Sequence, residues 1–324
     1  MLKYCLGVIL RLLLLLFGVS LVCFLLLAAS PVDPVSAFAG DEKGLSAEQR
    51  ERVAAYWGFD KPLVERYLIW LGNTLRGDMG VSMAFRRPVV SVIAERVSAS
   101  LALMLSAWVL SGILGFLLGI LCGAKPDSVF DKAARVFCFA LCSTPVFWIG
   151  LLLLLVFSIY LGIFPLALAV PIGKAAGDVT LWDRLYHLIL PALTLSITGV
   201  ANIALHTRQK LIDIMGSEYI LFARARGEGL WMLIKRHGIR NIAIPATTLQ
   251  FASFSELFGG SILAENVFSY PGLGSAVTIA GTRGDVSLFL GIAVFSTLFV
   301  FAGNLAANIL YGVLNPQIRE GGRI

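Results

Sequence analysis

Charge is scarce in this chain. Only 14% of its 324 residues are Asp, Glu, Lys or Arg, against 58% that are hydrophobic, a balance outside the usual range of soluble globular domains. Histidine is scarcer still: His187, His206 and His237 are the only three, scattered over different expected depths. With no HExxH run, nothing has the pattern of a zinc hydrolase. Cys5, Cys23, Cys122, Cys138 and Cys142 all fall in or beside apolar runs without CxxC spacing, and read as small packing residues rather than disulfides or metal ligands. There is no GxSxG elbow, the usual sign of a serine hydrolase, and no GxxxxGK[ST] loop to cradle the phosphates of ATP. No internal repeat is detectable. The net charge of +6 would in a soluble domain point toward nucleic acid, but here the placement of the basic residues matters more than their sum.

What is present in abundance is apolar sequence in runs of roughly 18 residues or more, the length needed to cross a bilayer. Six such spans are expected, at about Leu10–Ala29, Val97–Ala124, Val136–Ile163, His187–Leu205, Ile242–Phe268 and Val286–Val313. The first has Lys3 and Arg11 at its front, as a signal peptide would, but it outruns the roughly 7 to 15 apolar residues of a signal core and reads as a retained anchor. Residues 30–96 are polar and turn-rich, with a charged helical stretch from Ser46 to Arg52, and read as a folded loop on one side of the membrane.

Orientation follows from the short loops. Lys125, Lys132, Arg135, Arg208, Lys210, Arg224, Arg226, Lys235, Arg236 and Arg240 lie on one side, and Lys174, Arg184 and Arg283 on the other. The richer side is cytoplasmic by the positive-inside rule, as are both termini, and residues 30–96 are periplasmic.

One stretch is neither span nor plain loop. Gly216 to Pro245, GSEYILFARARGEGLWMLIKRHGIRNIAIP, interleaves basic residues with Leu221, Phe222, Leu230, Trp231, Leu233 and Ile234, and splits at Gly227 and Gly229 into two short amphipathic helices. Such a pair suits docking onto a partner, or resting on anionic lipid headgroups; the spacing satisfies both.

The spans also carry more small and polar residues than lipid anchors need. Gly112, Gly115, Gly119 and Gly199 permit close helix approach, and Ser253, Ser255, Glu256, Gly259, Gly260, Ser261, Asn304 and Asn308 sit in the fifth and sixth, a pattern of helices that pack together and line a wet path. Glu256 is the sharpest case: a carboxylate inside a span either faces a solute path, with Ser253 and Asn304 as companions, or hydrogen-bonds at a helix interface.

Tyr219 to Gly227, YILFARARG, followed by Lys235 to Pro245, KRHGIRNIAIP, resembles the cytoplasmic EAA loop of the permease subunits of binding-protein-dependent ABC importers, in particular the dipeptide, oligopeptide and nickel class. Agreement is close at Tyr219, Ala223, Arg224, Ala225, Gly227, Arg236, His237, Arg240, Asn241 and Pro245; Leu221 and Phe222 replace the usual Arg-Thr, and Glu228 stands where an apolar residue is common. Three further stretches are similar to the class: Gly58 to Ser82, Ala264 to Gly274 (AENVFSYPGLG), and the ending Tyr311 to Arg319, with Asn315 in the place of the family's aspartate.

The resemblance implies an all-α membrane protein with an N-terminal span at residues 1–29, a periplasmic loop at 30–96 and a permease core at 97–324 containing the coupling segment 216–245. It implies a second, related permease subunit, with a heterodimer favoured, two ATP-binding subunits that hold ATP and magnesium, an extracytoplasmic solute-binding protein, and no catalysis or cofactor in this chain. Contact with the ATPase would fall to Tyr219, Ala223, Arg224, Ala225, Arg226, Gly227, Leu230, Ile234, Arg236, Arg240 and Pro245, with Gly227 making the turn between the helices and Pro245 ending the second. An ATP-independent transporter or channel using Glu256 is the rival reading, and it would leave the 216–245 segment without a purpose.

Overall fold

The computed structural model describes residues 2–31, 48, 51–52, 55 and 60–314. Expectations for most of 32–59 and for the chain end beyond 314, including Asn315, lie outside the described residues. Among the described residues the regular structure is helical apart from one antiparallel pair of two-residue strands. In order the elements are α1 (Leu2–Ala28), α2 (Leu63–Leu75), β1 (Val81–Ser82), β2 (Arg87–Pro88), α3 (Val89–Ala124), α4 (Val129–Ser143), α5 (Val146–Leu153, continued by a wider turn to Tyr160), α6 (Leu181–Met215), α7 (Glu218–Ala225), α8 (Leu230–Leu233, continued by a wider turn to Gly238), α9 (Ile239–Ala252), α10 (Phe254–Val267), α11 (Leu273–Thr282) and α12 (Val286–Leu314).

Four helices, α1, α3, α6 and α12, contain stretches long and apolar enough to cross a bilayer, and α4 with α5 makes a fifth if that bent pair is one span. The six uniform spans expected from hydropathy are therefore not what the helices show. The third expected span bends by 111° between α4 and α5. Pro145 has no N–H to give the helix, and its ring drives Thr144 to an extended conformation (φ −99, ψ 132), as a residue before proline prefers. The fifth is two 14-residue helices, α9 and α10, meeting at Ser253, where the Ser253 carbonyl accepts from the amide of Glu256 at 3.1 Å and the Ser253 hydroxyl donates to the Gln250 carbonyl at 3.0 Å. Hydroxyl and tightened turn both compete with the regular ladder.

The chain divides into two compact units, Met1–Ser100 with Pro271–Phe301, and Leu101–Tyr270 with Ala302–Ile324. In the first, Val89, Val92 and Ile93 of α3 pack on Leu273, Ala276 and Ala280 of α11 and on Leu288 and Ile292 of α12. Asp285 fixes this unit's loops: it is fully buried, and its carboxylate accepts from the Ser82 hydroxyl at 2.6 Å, the Ala84 amide at 2.9 Å and the Leu288 amide at 3.1 Å. Tyr67 of α2 is held by Ser20 of α1 at 2.9 Å and packs on Phe24 and Leu290.

In the second unit α6 is the central helix. It opens with a reciprocal cap in which Thr180 Oγ1 accepts from the Asp183 amide at 3.1 Å and Asp183 accepts from the Thr180 amide at 2.9 Å, satisfying two N–H groups that the helix itself cannot. The small residues expected to allow close approach do so. A Cβ on Gly115 would stand 2.8 Å from Ile203 Cβ and from the Val200 carbonyl oxygen, one on Gly119 2.5 Å from Thr207 Cβ, and one on Gly199 2.8 Å from Ser111 Cβ. Helices α3 and α6 therefore meet backbone to backbone, the packing by which membrane helices associate where lipid offers no hydrophobic drive. Among the described cysteines Cys122 and Cys138 are buried, Cys23 is half-buried and Cys142 is exposed.

Candidate functional site

The segment after α6 folds from its own periodicity. Ile220 and Ala223 of α7 turn inward against Leu233 of α8 and against Ile214 and Met215. Gly227 then reverses the chain at φ +91, a conformation that glycine adopts freely. Its amide donates to the Arg224 carbonyl at 2.9 Å and that of Glu228 to Ala223 at 3.3 Å, which satisfies carbonyls left over at the end of α7. The split between two short helices stands where expected. Ile234 is 1% exposed and packs with Leu211, Ile242, Ile120 and Ala124.

The two faces of this segment are thus distinct. Ala223, Leu233 and Ile234 are committed to the protein's own interior and Leu230 is half-buried against the cluster around Ile234, whereas Leu221, Phe222, Trp231 and Met232 are exposed, with Arg224, Ala225, Arg226, Lys235, Arg236 and Arg240 around them. Phe222 is 67% exposed and Trp231 58%. Apolar periodicity has no means of telling which stripe faces inward; of the outward aromatics Tyr219 is among the expected contacts, whereas Phe222 and Trp231 are not.

Several residues that carry the resemblance meet in one cluster. Asn241 Nδ2 donates to the Tyr219 hydroxyl at 3.2 Å and to the His237 carbonyl at 2.9 Å, and the rings of Tyr219 and His237 stand 6.2 Å apart, edge to face. Glu228 lies 3.6 Å from His237 Nε2 and 3.7 Å from Arg236. The acidic departure at 228 thus faces the basic end of α8 across the turn, beyond hydrogen-bond reach. Pro245 does not end the second helix as expected but sits inside α9. Its missing N–H costs one hydrogen bond, which a helix among other helices tolerates.

A second feature is a cavity of about 300 Å³ lined by α6 and by the junction of α9 and α10. Thr198, Asn202 and His206 face it from α6, and Ser253 and Glu256 from the junction. Two of the three expected path residues are thus together. Asn304 is elsewhere, accepting from Ser255 at 2.5 Å.

A further residue pair escaped the sequence reading. Arg208, counted there only as a loop cation, donates to Asp131 through Nε at 2.5 Å and through its terminal nitrogen at 2.7 Å. Asp131 is fully buried and also accepts from the Asp127 amide at 2.8 Å, and Arg135 Nε approaches it at 3.5 Å. This pins the start of α4 to α6 just before the 216–245 segment.

Over residues 115–320 the sequence matches the family described as binding-protein-dependent transport system inner membrane component, and over 1–104 that family's N-terminal region. The chain belongs to this family. Among relatives, the oligopeptide transport system permease protein AppB of Bacillus subtilis is 32% identical over 94% of this chain and 95% of its own length. The dipeptide transport system permease protein DppB of Escherichia coli K12 is 32% identical over 94% of each. A solved structure of the MetNI methionine ABC transporter, at 15% identity, shares the fold with a TM-score of 0.52 over 70% of this chain and 97% of that one. The protein is a multi-pass inner-membrane permease subunit of an ABC importer. That membership decides against an ATP-independent transporter.

Proposed function

We propose that this permease passes peptides, delivered by an extracytoplasmic binding protein, into the cytoplasm, and that α7, α8 and the turn at Gly227 are its coupling element to an ATP-binding subunit. Two such subunits hold the ATP and magnesium, and a second, related permease completes the path. The observation that carries the coupling assignment is the outward face on which Leu221, Phe222, Trp231 and Met232 stand exposed among basic residues, while the opposite face is buried in the protein. Exposed aromatics rimmed by charge are the composition of a protein interface. The peptide assignment follows from the relatives, which are named for oligopeptide and dipeptide transport.

Phe222→Asp combined with Trp231→Asp is the direct test. Interface aromatics of this kind are worth about 2 kcal/mol or more each, so the amount of ATP-binding subunit retained in mild detergent should fall at least about tenfold, with membrane insertion unchanged. Full retention would place the segment on lipid headgroups instead.

The permease would cross the membrane six times, with α4–α5 and α9–α10 each counted as one broken span, both termini in the cytoplasm, residues 30–96 periplasmic and 97–324 as the transporting core. Reporters after Lys210 or at Ile324 should label as cytoplasmic and those near Ser46 or Gly177 as periplasmic, as the excess of basic residues in short loops on one side requires. Cytoplasmic labelling at Ser46 would overturn this arrangement.

A further inference from the structure

The cavity between α6 and the α9–α10 junction contains an unexplained charge. Glu256 lines it, and none of the other residues that do so is lysine or arginine. Among the described residues its carboxylate has no hydrogen bond or ion pair. Glu256 is exposed to this cavity, so its carboxylate stays hydrated and charged there and stands open to a cation that enters with the solute.

The surrounding groups narrow the kind of cation. Thr198, Asn202 and His206 recur at four-residue intervals along α6 and form a polar stripe on one face of the helix, opposite Ser253 and Glu256. The Ser253 hydroxyl spends its proton on the Gln250 carbonyl and keeps its lone pairs for a donor. A primary ammonium carries three N–H donors, and Glu256, the Ser253 hydroxyl and the second lone pair of the Asn202 amide oxygen, which already accepts from Cys142 Sγ at 3.3 Å, are three acceptors. A bare metal ion is a poorer fit: among the described residues no group of three or more His, Cys, Asp or Glu gathers anywhere.

We infer that Glu256, with Asn202 and Ser253, forms a recognition site for the primary ammonium of the transported solute. The inference rests on the peptide-permease reading above and deepens it: the permease itself selects for a free amino terminus, in addition to any choice made by the binding protein.

The test uses the whole transporter in proteoliposomes, with its binding protein and both ATP-binding subunits. A mixture of short peptides and the same mixture N-acetylated compete for uptake, read by mass. Because the binding protein is the same in every sample, a change in the free-to-acetylated ratio between variants belongs to the permease. Glu256→Gln should lower that ratio roughly tenfold, the worth of a charge-assisted hydrogen bond, by slowing the free peptides while sparing the acetylated ones; Glu256→Asp, which keeps the charge, should restore most of it. An unchanged ratio in Glu256→Gln, or an equal loss on both mixtures, would overturn the inference and leave the peptide reading standing. A Glu256→Gln subunit that no longer assembles with the second permease would overturn it too, by making Glu256 an intersubunit ion-pair partner. Wild-type transporter that takes up neither mixture would instead overturn the peptide reading, and this inference with it.

Discussion

Asp131→Ala is expected to be among the most destabilising single substitutions in the permease. Removing the carboxylate leaves the Arg208 side chain, only 10% exposed, without the two charge-assisted bonds at 2.5 and 2.7 Å to its guanidinium. An uncompensated buried charge costs about 3–5 kcal/mol, a large share of the total stability of most proteins. The thermal midpoint of the detergent-solubilised complex, followed by monodispersity, should drop clearly, with a loss of α4–α6 protection in hydrogen exchange. The double variant Asp131→Leu with Arg208→Met should recover much of the loss, because a buried pair replaced by apolar groups of similar volume is often nearly neutral. A single variant with the wild-type midpoint would show that the pair contributes nothing to the fold.

That pair also marks how far the sequence could be read. Hydropathy finds where apolar helices lie, because burial in lipid is a property of composition over roughly 20 residues. It is blind to direction, so the 111° bend at Thr144–Pro145 and the break at Ser253 went unseen, although Pro145 and Ser253 were visible as breakers. It also undercounts helix length where a helix continues into polar sequence. α6 begins at Leu181 and ends at Met215, not at His187 and Leu205, and Thr180 with Asp183 was the capping signal that could have placed its start. Close helix approach at Gly115, Gly119 and Gly199 was legible because only glycine permits it. The Asp131–Arg208 bond was not, since its partners are 77 residues apart and no local pattern joins them. In the 216–245 segment the turn was readable from Gly227, but the assignment of faces was not: both Ile220, Ala223, Leu233 and Ile234 and their neighbours Leu221, Phe222, Trp231 and Met232 form apolar stripes, and only the tertiary structure decides which is covered.

Gly227→Val is expected to uncouple ATP hydrolysis from transport while leaving the permease inserted. Nothing lies within 4 Å of the position a Cβ would take, so crowding is not the cause; the cause is backbone angle. At φ +91 a β-branched residue is strained by about 1–3 kcal/mol, and the chain can relieve that strain only by rebuilding the turn. Doing so breaks the bonds from Gly227 to Arg224 and from Glu228 to Ala223, and it moves Glu228 away from Arg236 and His237, which it faces at 3.7 and 3.6 Å. Phe222 and Trp231, on either side of the turn, would then no longer present one surface to the ATP-binding subunit. Membrane level should stay near normal, because the apolar spans are untouched, while uptake per ATP hydrolysed falls and the ATP-binding subunit is lost more readily in detergent. Two controls separate backbone strain from a general sensitivity of the loop. Gly227→Asn should be milder, since asparagine enters positive φ more readily than valine. Gly229→Ala should be silent, because Gly229 has φ −71 and open space around it. Normal coupled transport by Gly227→Val, with its partner subunits attached, would show that this turn does not carry the ATPase movement and would return the segment to the lipid surface.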